Sequence, residues 1–348
     1  LPADGSPKPL HGSTASAMPI VDFAPWHAAV GGALLGTATV MRMWLHGQVL
    51  GVSGVCGGIV RGKLAELPRW AFTAGLVTAG FGLKAVYPTA MGDATIAPWR
   101  EVLGGLAVGL GASLGNGCTS GHGISGNARL SPRSMAYTIT FMAAGFATAS
   151  ALHSAAAISV TRVSEPAIEL VVQLAAQVLI AHLCAYTSIV ALARTAVLPA
   201  QLAMVTTSFL DGTLFGAGLG LSGMTSPARV AQFLDVSAGS WNPTLMFVMA
   251  GGLGLVAPFM LALVLPQRLS RPLIGAKFEV PTNKTIDRKL IAGGLLFGAG
   301  WGIGGMCPGP AIVSLANPTS APLVWCAAMV AGMRLADVKA VSKAIAGA

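Results

Sequence analysis

Three of the five cysteines in this 348-residue chain stand at one recurring place. Cys56, Cys118 and Cys307 each close a glycine-rich run, and Thr225 closes a fourth. A thiol is soft and polarizable, and beside a helix N-terminus it can become a nucleophilic thiolate. The densest cluster is Gly117-Cys118-Thr119-Ser120-Gly121-His122-Gly123, a thiol, two hydroxyls and an imidazole set between glycines that let the backbone approach a ligand closely. Carboxylates are nearly missing from these turns; Asp211, beside the third run, is the exception and a candidate partner for a cation. Backbone N–H donors and positive helix ends favour an anion. Thiols favour one that carries sulfur, ahead of phosphate or chloride. A metal fits less well, because Cys118-x3-His122 supplies two ligands, short of a closed tetrahedral set. Neither a metal nor another cofactor is expected. His122 has two readings, a donor to the anion or a hydrogen-bond partner of its own loop. Cys184 and Cys326 lie in ordinary apolar sequence and read as inert.

The elements that must hold these groups are apolar: 54% of the residues are hydrophobic and 9% charged, against about 25% charged in a soluble domain. Such a chain cannot coat a globule with polar surface. Its 45 glycines follow no Gly-x-y period and are surrounded by apolar runs, which excludes collagen and low-complexity disorder. The net charge of +9 comes from cations scattered through short connectors, which excludes nucleic acid as a partner. Five cysteines set in apolar sequence are too few for a disulfide scaffold. What remains is an all-α polytopic membrane protein whose surroundings are a lipid bilayer.

Runs suited to crossing a bilayer are read at 26–49, 68–87, 101–114, 135–157, 167–191, 202–221, 245–265, 290–302 and 322–335, nine transmembrane helices in all. The third and eighth are short and glycine-laden, the mark of helices that stop part-way through the membrane. Residues 1–25 read as a flexible N-terminal tail, 26–198 as a first membrane half and 199–348 as a second, within a single integral membrane domain. Counting Lys and Arg in alternate connectors gives fifteen on one side and five on the other, with Arg42 left inside the first span. The positive-inside rule then sets the N-terminus outside and the C-terminus in the cytoplasm. Arg42 reads as functional, as intramembrane cations generally do. The longest connector, 266–289, reads as a solvated cytoplasmic loop.

The glycine runs repeat. Gly105, Gly109, Gly111, Ser113, Gly115 and Cys118 share their spacing with Gly212, Gly216, Gly218, Gly220, Ser222 and Thr225, and with Gly294, Gly298, Gly300, Gly302, Gly304 and Cys307. A degenerate copy, Gly47, Gly51, Ser53, Gly54 and Cys56, keeps the end of the pattern. The four-residue spacing lines small residues along one helix face, where backbones approach closely in lipid. Each copy is read as ending a helix at its glycines, turning at the Cys or Thr, and starting a second, short helix. Ser226-Pro227 and Cys307-Pro308 supply restarts, since the missing N–H of proline costs nothing in a first turn. The new half-helices, 227–234 and 308–315, are too short to span and read as re-entrant, aiming unpaired N–H groups at the turn. The first two copies follow spans one and three and the last two follow spans six and eight, so the pairs enter from opposite faces. Such inverted internal repeats place a binding site near the midplane.

The stretch Gly115-Asn116-Gly117-Cys118-Thr119-Ser120-Gly121-His122-Gly123-Ile124-Ser125-Gly126, followed by Arg129-Leu130-Ser131, resembles the signature of the YeeE/YedE sulfur-transport membrane family. Two later stretches look like its second half: Phe215-Gly216 through Met224-Thr225-Ser226-Pro227-Ala228-Arg229, and Phe297-Gly298 through Cys307-Pro308-Gly309-Pro310. The likeness runs from about Trp26 to Leu335, and because members with separate halves exist, this chain looks like the fused form. The first copy departs from the pattern at Cys56. The resemblance implies a non-enzymatic transporter of thiosulfate, or a related sulfur-containing anion, in the plasma membrane, with substrate passed along pore cysteines. Cys118, Cys307, Cys56, Thr225, Thr119, Ser120 and His122 are then the candidate substrate contacts. A second class stays open: a membrane sulfurtransferase that carries persulfide on Cys118 or Cys307 and passes it to a cytoplasmic sulfur-acceptor protein. The chain holds no Gly-x4-Gly-Lys-Ser/Thr phosphate loop. The charge asymmetry predicts that a cysteine introduced at Asn283, in a Cys184→Ala background, reacts with an impermeant thiol reagent in inside-out vesicles and not in intact cells; labelling of intact cells would reverse the orientation.

Overall fold

The computed structural model describes residues 23–91, 94–160 and 166–338. The tail expected at 1–25 falls almost wholly outside them. The chain forms α1 (Pro25–His46), α2 (Val52–Val60) and α3 (Leu67–Val86), then α4 (Pro98–Gly115), a wide π-type turn (Thr119–Gly126) and α5 (Pro132–Ala151). The one-turn α6 (Ser154–Ala157) and the long α7 (Ile168–Arg194) follow. The second series is α8 (Ala200–Leu221), α9 (Pro227–Leu234) and α10 (Thr244–Phe259), then α11 (Arg288–Gly304), α12 (Pro308–Val313) and α13 (Ala321–Asp337). A two-residue antiparallel pair, Ala94–Thr95 with Ser159–Val160, ties two connectors together.

All nine apolar stretches are helical, and the expected half-helices are α9 and α12, both buried along their whole length. Four helical stretches, α1, α7, α8 and Thr244–Val264, are long and apolar enough to cross a bilayer by themselves. Two bent pairs raise that to six: Pro98–Gly115 with Thr119–Arg129 at 45°, and Arg288–Gly304 with Pro308–Ala316 at 46°. Large apolar side chains such as Phe81, Ile139, Ile180 and Leu323 are exposed, while Trp26, Trp99 and Trp241 stand exposed near the starts of α1, α4 and α10 like interfacial anchors. The chain is therefore an all-α, multi-spanning integral membrane protein.

Each break in a long helix turns on one residue with a left-handed backbone: Gly47 (φ 74°), Asn116 (57°), Gly223 (74°) and Gly305 (63°). Glycine takes this conformation without steric cost and asparagine with little. The long helices on either side pair in a pattern that occurs twice. α1 packs on α8 and α10 while α3 packs on α8; in the same relation α4 packs on α11 and α13 while α5 packs on α11. The half-helices cross between these two groups. α2 reaches α4 and α13, α9 reaches α5 and α11, and α12 reaches α3 and α8.

Two expectations change. Cys56 is not at a turn equivalent to Cys118 and Cys307, because α1 ends at His46 and α2 already starts at Val52, which puts Cys56 inside α2. The physical reason lies in the 266–289 connector, which does more than face solvent. Its Leu273, Ile274 and Gly275 N–H groups donate to the carbonyls of Trp44 and Leu45 at 2.9–3.0 Å, and Glu279 N donates to Gly47 O at 2.6 Å. The open end of α1 is thereby capped from far along the chain, several residues before the glycine pattern would end it.

Glycines at the crossings admit no side chain. A methyl group at Gly212 would meet the carbonyl of Phe72 in α3, and one at Gly298 the carbonyl of Phe141 in α5, whereas at Gly82 and Gly254 nothing lies within 4 Å. Gly212→Ala and Gly298→Ala should each cost about 3 kcal/mol or more, since a backbone carbonyl cannot yield without parting the helices. Gly82→Ala and Gly254→Ala should be neutral, a contrast that thermal unfolding in detergent would measure.

Candidate functional site

Cys118 and Cys307 each occupy the position just before a restarted helix, Cys118 ahead of the π-type turn and Cys307 ahead of α12. Both have extended backbone, and neither side chain caps its helix. They are 1% and 3% exposed, and they line one cavity of about 270 Å³ together with Thr119 and Ser120. The hydroxyl of Thr119 donates to Cys307 Sγ at 3.7 Å, so the loop that carries Cys118 touches the thiol of the opposite half directly. Cys118 Sγ and Ser120 Oγ share a hydrogen bond of 3.2 Å, and Val52 N donates to the same Ser120 oxygen at 3.1 Å. The Ser120 hydroxyl thus links the start of α2 to the Cys118 thiol. The rest of the cavity wall is apolar and rich in thioethers, with Met142, Met224, Met246 and Met249 beside Phe141, Phe215 and Trp301. Sulfur atoms are soft contacts, and the two thiols add weak donors. No spacing rule in the sequence collects these methionines from α5, α10 and the turn after α8, so motif reading does not find them.

Beyond Val52 and Ser120 lies a second, polar chamber of about 680 Å³ lined by Arg42, Arg69, Arg129 and Arg133 among others. Gly51 and Gly121 face each other where the chambers adjoin: a methyl group built on Gly51 would lie 3.4 Å from the Gly121 Cα. His122 lines the polar chamber and not the thiol cavity. Its Nε2 donates to Gly115 O at 3.1 Å, leaving Nδ1 to accept from the Ser134 hydroxyl at 2.9 Å, and its ring lies 4.4 Å from that of Tyr137. Of its two readings, the loop-bonding one is what the structure shows. Thr225 is also apart from the thiols, since its hydroxyl donates to Ala90 O and it is Met224 that reaches the cavity. Cys56 lines neither chamber. Among the described residues no group of three or more His, Cys, Asp or Glu could hold a metal.

The intramembrane cation has its partner. Arg42 Nη1 donates to Ser208 Oγ at 2.7 Å and lies 3.6 Å from Asp211 Oδ2, Arg42 Nη2 donates to Gln48 Oε1 at 2.9 Å, and Tyr186 donates to Asp211 Oδ1 at 2.8 Å. One buried network therefore ties α1, α7 and α8. Burying either charge alone would be costly.

The residues matched by two family models cover much of this architecture. Residues 71–148, which include Cys118 and its loop, match the family described as "Sulphur transport", and residues 203–345, which include Cys307, match a family of unknown function, DUF6691. A probable transporter of Xylella fastidiosa strain Temecula1 is 46% identical over 132 residues, which are 38% of this chain and 87% of that protein. A probable transporter of strain 9a5c is 39% identical over 127 residues, 36% of this chain and 92% of that protein. Each of these relatives is less than half as long as this chain. No solved structure is significantly similar. Broken helices converging on buried thiols within a multi-spanning bundle define a transport-type membrane protein, and the chain belongs to the sulfur-transport family of the YeeE/YedE type. Membership puts it among transporters and not among enzymes.

The loop that carries Cys118 hangs on Tyr137, whose hydroxyl lies 3.2 Å from both Gly111 O and Gly117 O. Tyr137→Phe leaves those buried carbonyls without their donor and should lower stability by about 1–3 kcal/mol. Thermal unfolding in detergent measures it; an unchanged midpoint would mean that the loop is held by its other bonds.

Proposed function

We propose that the chain conducts thiosulfate, or a closely related sulfur anion, across the plasma membrane by passing it between the thiols of Cys118 and Cys307. The carrying observation is that two helices broken at nearly the same angle, in different halves of the chain, bring both thiols to one buried cavity. Three features support a sulfur anion over sulfate. The wall offers thioethers and thiols to a terminal sulfur. Hydroxyls from Thr119 and Ser120 stand beside the thiols for the oxygens. An apolar cavity also penalises the more strongly hydrated all-oxygen anion. The twice-repeated helix pairing supports internal repeats, read here as two inverted halves, 26–198 and 199–348. The positive-inside count supports an external N-terminus and a cytoplasmic C-terminus. Transport is favoured over persulfide transfer to a soluble acceptor protein because both thiols are buried where a macromolecule does not reach. Homology to proteins named probable transporters agrees with this reading.

Purified protein in liposomes should take up labelled thiosulfate, with excess unlabelled thiosulfate competing much better than sulfate. Cys118→Ala and Cys307→Ala should each abolish uptake while leaving expression intact, whereas Cys184→Ala, Cys326→Ala and Cys56→Ala should stay active. Full activity of the Cys118→Ala/Cys307→Ala double variant, or equal competition by sulfate, would overturn the thiol relay.

A further inference from the structure

The arginines of the polar chamber are not equally occupied. Arg42 is held by Asp211, Ser208 and Gln48. Arg69 is held by Glu66 and by the carbonyl of Gly54, and Arg133 by the carbonyl of Thr285 and by Asp287. Arg129 differs: its Nε and Nη1 are buried and have no hydrogen-bond partner among the described residues, and it enters no ion pair there. Arg129 is half-buried, and buried guanidinium N–H donors are costly unless something supplies acceptors. Two carboxylates line the chamber: Glu66, paired with Lys63 and Arg69, and Glu279, which is exposed and forms no ion pair with Arg129. A second unpaired group lines the same chamber. Ser53, in the first turn of the nine-residue α2, is 6% exposed, and its hydroxyl also has no partner among the described residues. No side chain caps that turn, because its N-cap is Gly51.

We propose that the polar chamber is a second binding station, in which the guanidinium of Arg129 and the hydroxyl of Ser53 hold the oxygens of a small divalent oxyanion. The inference rests on the transport reading, since it makes this chamber the stop between the thiols and the cytoplasm. The division of chemistry is complementary. The thiol cavity engages the soft end of the anion and discriminates by sulfur; the planar, always-charged guanidinium engages hard oxygens in pairs and does not. Sulfate, rejected by the thiols, should therefore bind at Arg129 about as well as thiosulfate. The Gly51–Gly121 backbone contact separates the two stations, with no side chain at that point on either segment.

The test uses the full chain carrying Cys118→Ala and Cys307→Ala, in nanodiscs, with labelled sulfate as the probe and equilibrium binding as the readout. Saturable sulfate binding is expected, with unlabelled thiosulfate competing equally. Adding Arg129→Gln should weaken it at least tenfold, Arg129→Lys less, and Ser53→Ala several-fold. Sulfate binding that is missing from the parent, or unchanged in Arg129→Gln, overturns the station. If Arg129→Gln does not fold, unchanged binding in Ser53→Ala does the same. Binding should be equal in discs of phosphatidylcholine and of phosphatidylcholine with phosphatidylglycerol; loss in the latter would assign Arg129 to a lipid headgroup instead. The transport reading fails by a different result, the lack of thiosulfate uptake by the unaltered chain in liposomes.

Discussion

A helix that stops inside a membrane protein strands backbone N–H and C=O groups that need partners other than water, and the long helices of this chain break at four points. At three of these breaks remote groups supply partners. Tyr137 serves Gly111 and Gly117, His122 serves Gly115, and the Ser125 hydroxyl donates to Leu50 O at 2.9 Å across the boundary between the first two repeats. At the far end of α11, Arg100 donates to Ile303 O and the Ser154 hydroxyl to Gly302 O. The polar residues that read as substrate contacts in the sequence are thus partly engaged in keeping the breaks intact.

Paired termini permit the second feature, the exchange of half-helices between the two helix groups. A short helix such as α12 cannot span and has no lipid-facing side, so all of its residues are buried. It is held by α3 and α8, while its chain neighbour α11 belongs with α4 and α5. Small residues make this possible, since Gly104 and Gly300, or Gly31 and Gly218, come within a methyl's width of one another's backbones. The thiol cavity forms where these exchanged segments meet, which is why it draws its wall from both halves.

Much of this was legible in the sequence. Long apolar runs have few alternatives in lipid, so every stretch read as a span is a helix, and the prolines at 227 and 308 mark the starts of α9 and α12. The Cys-Thr-Ser-Gly-His-Gly run points to the family. What could not be read depends on remote partners. The break after α1 is set by residues 273–279, so the glycine pattern misplaced Cys56. The Thr225 hydroxyl is taken by Ala90, and His122 is turned toward Gly115 and Ser134. Spacing can put a residue at a turn, but which way its side chain is drawn depends on neighbours brought there by the tertiary fold.

The cap on α1 also sets an order of assembly. The groups that pair with Trp44 O, Leu45 O and Gly47 O belong to residues synthesised more than two hundred positions later. Until that later segment is made, the carbonyls at this end of α1 lack the partners they have in the finished fold. The end of α1 is therefore completed only after the 266–289 connector is in place. A chain interrupted before residue 273 would leave that end without its clasp, however completely its own helices had entered the membrane.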